Sequence, residues 1–83
     1  MTAVTGANTQ AAELLSQAGL DLLVTGLPLE AAQAFRAAIA ADPDYFEAHH
    51  GLIRALRDAA RFEQSIAAAL ALTALTQIGR AHV

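Results

Sequence analysis

An all-α fold of four helices, arranged as two antiparallel helix-turn-helix pairs stacked into a short solenoid, is predicted by three observations. Gly19, Ala31, Phe35, Ala38 and Pro43 form a spaced set of small and aromatic residues that recurs in good part further along the chain. The shift is about 34 residues, a period at which a helix pair that cannot bury its apolar face alone stacks on the next pair. Apolar residues fall at i, i+3, i+4 and i+7, as on one side of a helix. Gly26, Pro28 and the segment Asp42-Pro43-Asp44 divide these runs, and connections of only a few residues force antiparallel neighbours.

Thr9 is placed to cap a first helix reaching about Thr25, with Leu14, Leu15, Ala18, Leu22 and Leu23 on its apolar face. Gly26 stops it, because glycine adopts the left-handed conformation that a helix C-terminus needs. Pro28 suits an early position of the second helix, where a missing N–H costs nothing; Ala31, Phe35, Ala38 and Ile39 share one side of that helix. Pro43 disfavours helical geometry at Asp42 and ends it. Asp44 followed by Glu47 reads as a capping box for the third helix, which runs to about Ala59 with Ala48, Leu52, Ile53 and Leu56 inward. A fourth helix is expected from near Phe62 to Thr76, with Ile66, Ala69, Leu70, Leu72 and Thr73 as its apolar body. Alanine at Ala31 and Ala38 lets helices approach closely while Phe35 fills the groove between pairs.

The positions of Gly19, Ala31, Phe35, Ala38 and Pro43 match those used by a tetratricopeptide repeat, and the chain resembles that family over roughly residues 9 to 77. A second copy keeps the small-then-large pattern in Ala48, Leu52, Leu56, Phe62, Ala69 and Leu72. It departs from the family at Ile53, where glycine is usual, at Ser65, where alanine is usual, and at Gln77, where proline is usual; in the first copy Leu15 and Leu22 replace aromatics. The resemblance implies helix pairs over residues 9–44 and 45–77 behind a flexible segment 1–8. It also implies a protein-interaction role, with a concave surface lined by the first helix of each pair. Glu13, Ser16 and Leu20 from one copy and Glu47, His50, Arg54 and Arg57 from the other then face a peptide or partner protein. The lysine and asparagine pattern with which some members clamp a chaperone's C-terminal carboxylate is not reproduced, so that partner does not carry over.

Composition narrows the classes of function. The 83 residues are 55% hydrophobic and only 16% charged, so part of the apolar surface is expected to meet a neighbour; a chain of this size buries only about 60% of the surface its unfolded form exposes. A net charge of -3 and a pI near 5.4 give no electrostatic footprint for nucleic acid. With no cysteine there is neither disulfide nor thiolate chemistry. The N-terminal residues lack the basic and apolar regions of a signal peptide, which makes a cytoplasmic address the expectation. The uncharged run from Gln64 to Gly79 is interrupted by Ser65, Thr73, Thr76 and Gln77. It falls short of the ~20 apolar residues of a membrane span.

Catalytic chemistry is not indicated, and neither a cofactor nor a metal is expected. His49 and His50 are adjacent, so on a helix they point about 100° apart and one metal cannot readily take both. His49 is expected to be partly packed and His50 to face solvent. Asp42 and Asp44 flank a turn and serve as helix-end residues; Ser16 and Ser65 have no histidine base in pattern, and Gly19, Gly26 and Gly51 are too scattered for a phosphate loop. His50, Arg54 and Arg57 stand at i, i+4 and i+7 and share a stripe. That stripe is either a solvated helix face or a place where two guanidiniums and an imidazole hold a carboxylate. The favoured reading is a protein-interaction scaffold; the alternatives are a self-association element and a non-catalytic appendage of a larger enzyme or sensor.

The last six residues, Ile78 to Val83, resemble the conceptual translation of a common short-read sequencing adapter, and they begin where the repeat pattern fails at Gln77. They are expected to be a non-native tail in which Arg80 and His82 have no role, with the natural protein continuing into at least one further helix.

Overall fold

The computed structural model describes the backbone of residues 8–81 and the side chains of residues 8–76. The expectations for residues 1–7 and for the side chains of Ile78 to Val83 lie outside the described residues. Four helices, and among the described residues no strand, make up the chain: α1 (Thr9–Thr25), α2 (Pro28–Ala41), α3 (Phe46–Asp58) and α4 (Phe62–Ala81). α1 packs on α2, α2 on α3 and α3 on α4, and α1 also touches α3. The Cα extents of 39 × 29 × 14 Å describe a slab only two helix layers thick.

The cap of α1 is Asn8, not Thr9: the Asn8 side chain accepts a hydrogen bond from the Ala11 N–H at 3.0 Å, which satisfies one of the free donors of the first turn. Thr9 instead donates its hydroxyl to the Asp42 carboxylate at 2.7 Å. Asn8 N–H also reaches the Ala41 carbonyl at 2.7 Å, so the start of α1 is tied to the end of α2. Asp42 is buried, and its second oxygen takes the Asp44 N–H at 3.1 Å, forming the turn that Pro43 enforces. The expected capping box is absent. α3 begins at Phe46 behind Tyr45 without a side-chain cap, because Asp44 is held in the preceding turn.

The core is built on Phe35, one of two large side chains that are almost completely enclosed; the other is Leu56. Phe35 joins Ala31, Ala32, Leu52, Ala55, Leu56 and Ala68 in one cluster, and Ala12, Ala38 and Ala48 form a second. Two glycines make room for the ring. A Cβ on Gly19 of α1 would lie 2.7 Å from Phe35 Cζ, and one on Gly51 of α3 would lie 2.6 Å from Cδ1 and closer still to Cε1 and Cζ. Both distances are far inside van der Waals contact, so three helices meet on one aromatic side chain.

The two turns within the pairs are superposable in their hydrogen bonds at an offset of 34 residues. Gly26 N–H bonds the Leu23 carbonyl and Leu27 N–H the Leu22 carbonyl; Ala60 N–H bonds the Arg57 carbonyl and Arg61 N–H the Leu56 carbonyl. Gly26 has φ 88° and Ala60 φ 61°. The second turn therefore keeps the left-handed geometry of the first without its glycine, at a strain of about 1 kcal/mol.

Two of the expected helix faces are corrected. On α1, Leu14 is 68% exposed and Ala18 is exposed; the inward face consists of Ala12, Ser16 and Gly19 with the half-buried Leu15, Leu22 and Leu23. The reach of Phe35 toward Gly19 sets that rotation. On α4, Ile66 and Leu70 are exposed and the buried positions are Ser65 and Ala68. Ile53 on α3 is only half-buried. The helix continues past Thr76 to Ala81.

Gly-to-Ala changes at Gly19 and Gly51 test the core. On an open helix the change gains about 1 kcal/mol, whereas overpacking costs about 1–3 kcal/mol, so both variants should be less stable by thermal and urea unfolding, Gly51→Ala the more so. Equal or greater stability would show that the ring does not sit on these glycines. For Ala60→Gly the sign reverses: release of the left-handed strain should raise stability by up to about 1 kcal/mol, and no gain in the melting temperature would contradict the φ of Ala60.

Candidate functional site

Between α1 and α3 lies a groove of about 530 Å³ lined by Glu13, Ser16, Gln17 and Leu20 of α1, Tyr45 and Glu47, His50, Gly51 and Arg54 of α3, with Phe35 at its floor. α1 and α3 run in the same direction, each antiparallel to the α2 between them, so equivalent turns lie side by side. Of the seven residues that sequence reasoning assigned to a concave face, Glu13, Ser16, Leu20, Glu47, His50 and Arg54 line the groove. Arg57 is exposed but is not among the lining residues; it lies a turn beyond Arg54, past the groove's end.

The groove is polarised along its length. Glu13 and Glu47 stand at the end nearer the N-termini of the two helices, beside Tyr45. There the Tyr45 phenol is pushed up from 10.0 to about 12, first by hydrogen bonding to Glu47, then by burial and by the charges of Glu47 and Glu13. Arg54 stands at the other end, four residues beyond His50. An occupant lying along the groove meets negative charge at one end and a guanidinium at the other.

Ser16 forms part of the wall. It is 5% exposed, and its Oγ is buried without a hydrogen-bond partner. A mid-helix serine commonly satisfies its hydroxyl on the carbonyl four residues back, as Thr25, Thr73 and Thr76 do on Asp21, Ala69 and Leu72. Ser16 does not, and an unpaired buried hydroxyl costs about 1–3 kcal/mol.

The histidines divide as expected. His49 is buried, and its Nε2 lies 2.8 Å from the Pro43 carbonyl, to which it donates since a carbonyl only accepts; His50 is exposed in the groove. His49 thus staples α3 to the turn before it. Among the described residues no group of three or more histidine, aspartate and glutamate side chains could hold a metal ion, and no helix is long and apolar enough to cross a membrane.

Sequence reasoning missed Gln17, Tyr45, Gly51 and Phe35 as lining residues. Gln17 follows Ser16 and lies one turn after Glu13, so the helical spacing of the named residues could have included it. Tyr45 precedes its helix and carries no face periodicity. Phe35 and Gly51 were read as packing residues, and they serve as packing and as floor together.

Comparison with protein-family models, with curated proteins and with solved structures finds no match to this chain.

Tyr45 is the chain's one tyrosine, so its ionisation can be followed by absorbance alone. The folded value near 12 lies above the ordinary 10.0, so between these values the folded chain holds a proton that the unfolded chain has released. Stability from this group is present below pH 10 and is lost as pH rises through that window. Glu47→Gln should move the midpoint back toward 10. An unchanged midpoint would separate Tyr45 from Glu47.

Proposed function

We propose that the chain is a tetratricopeptide-like interaction module: two helix pairs related by a 34-residue repeat, stacked so that the groove between α1 and α3 receives an extended segment of a partner protein. The equivalent turns at Gly26 and Ala60 support the repeat. The observation that carries the binding reading is the groove of about 530 Å³ itself, with Glu13 and Glu47 at one end and Arg54 at the other. Arg54 and His50 set the sense of binding by taking the segment's carboxylate by charge-assisted hydrogen bonds. No bond-making chemistry belongs to this reading, and its setting is the cytoplasm.

A random-peptide display selection on the immobilised chain should enrich sequences bearing an acidic residue. Anisotropy titration of an enriched peptide should show that Arg54→Glu weakens binding at least about tenfold, the scale of a lost charge pair, while Arg57→Glu changes little. Added salt should weaken binding in parallel. Ser16→Ala should raise the melting temperature, because it removes an orphan buried hydroxyl. No enrichment, or full affinity in Arg54→Glu with helicity intact, would remove the reading.

A further inference from the structure

α4 carries a stripe of large apolar side chains turned away from α3. Phe62, Ile66 and Leu70 recur every fourth residue and are 61%, 61% and 65% exposed, while the same helix buries Ser65 and Ala68. Contiguous apolar surface of this kind marks a contact. The structure indicates what meets Ile66, the middle of that stripe, because the two turns with matching hydrogen bonds lock α4 to α2, and α1 to α3, at an offset of 34 residues; Phe62 and Leu70 fall at the places of Pro28 and the exposed Arg36.

In that register Ile66, Ala69 and Thr73 of α4 occupy the places of Ala32, Phe35 and Ile39 of α2, which pack with Leu52, Ala55 and Leu56 of α3. On α1, Leu14, Gln17 and Ala18 occupy the places of Ala48, Gly51 and Leu52 of α3. All three are exposed in α1, whereas their counterparts in α3 are buried. One end of the stack thus bares a face like that of α2, and the other bares a face like that of α3.

We propose that copies of this chain associate head to tail, α1 of one copy seated on α4 of another as α3 is seated on α2 within the chain. The side-chain sizes fit. Within the chain a large Phe35 lies on Gly51; across the contact the corresponding pair is a small Ala69 and a larger Gln17. Ala32 and Leu52 share a cluster, and their counterparts are Ile66 and Ala18, again with small and large exchanged, so the volume to be filled is conserved. Asp21 stands where α3 has the fully enclosed Ala55, which places one carboxylate at the contact and keeps the association weak. The contact is heterologous and does not close on itself, so it generates open chains of copies rather than a symmetric dimer. It extends the array independently of whether the groove takes a peptide.

Sedimentation of the full chain over a wide concentration range tests this. The weight-average mass should rise with concentration without levelling off at the dimer. Leu14→Glu and Ile66→Glu should each be monomeric alone, and an equimolar mixture should form a dimer and nothing larger, since each variant retains one intact face. Both positions are more than 60% exposed, so circular dichroism should stay helical; Ala18→Glu with Thr73→Glu, both exposed, repeats the test at neighbouring sites. Three results would overturn the proposal. The first is a wild-type chain that stays monomeric, which assigns the stripe to a different partner. The second is a Leu14→Glu variant that still dimerises by itself, which means α4 pairs with α4. The third is a mixture of the two variants that does not associate.

Discussion

The Phe35 ring, resting on two positions that have no side chain, is the contact on which the rest of the structure depends. Its tip meets Gly19 on α1 and its Cδ1–Cε1 edge meets Gly51 on α3, while its own backbone belongs to α2. Among the described residues little other large apolar volume is enclosed: the rest of the enclosed core, Leu56 apart, is alanine, with Leu52 close behind. Alanine permits close helix approach but specifies the rotation of a helix weakly, since one methyl resembles the next. The ring supplies that specification. It fixes which side of α1 and which side of α3 turn inward, and thereby brings Ser16 and His50 to face a common groove.

This accounts for what the sequence disclosed. The ends of α1 and α2 at the two turns were legible because their signals are local and chemical, Gly26 in the left-handed region, Pro28 opening α2 and Pro43 breaking the chain, whereas the caps expected from Thr9 and Asp44 and the end of α4 at Thr76 were not. The faces of α1 and α4 were not. In α1, Leu14, Leu15, Leu22 and Leu23 offer more than one apolar side, and only the reach of Phe35 to Gly19 chooses between them. In α4, nearly every residue from Ile66 to Leu72 is apolar, so periodicity carries no phase; Ser65 turned inward, with its hydroxyl 3.4 Å from the Ile53 carbonyl, could not be anticipated from hydrophobicity. The groove residues were more legible than the core, because the repeat register places Glu13 with Glu47 and Ser16 with His50 whatever the exact rotation of the helices. That register runs on to Arg57, but the groove ends at Arg54.

At the 34-residue offset set by the matching turns, α3 and α4 differ from α1 and α2 at three telling positions. Ala60 stands where the first copy has Gly26, Ser65 where it has Ala31, and Ala69 where it has Phe35. α4 packs mainly on α3, with a thin buried face of Ser65 and Ala68 and a side-chain hydrogen bond from Arg36 of α2 to Gln64 at 3.3 Å. Local opening follows the density of buried apolar contact, and on that measure α4 is the least secured element. Its exposed Ile66 stands at the place where α2 presents Ala32 to α3.

Core and groove are not separable in this molecule. Phe35 is 1% exposed and is also the floor on which a bound segment would lie, so the ring that joins three helices also sets the groove's depth. A substitution that shrinks the ring deepens the groove and loosens the fold together. Ser16 shows the complementary constraint: a hydroxyl without a partner persists in the wall although alanine at the same place would avoid its desolvation cost. The wall that contains it stands between two glutamates at one end and a guanidinium at the other, so the groove carries opposite charge at its two ends.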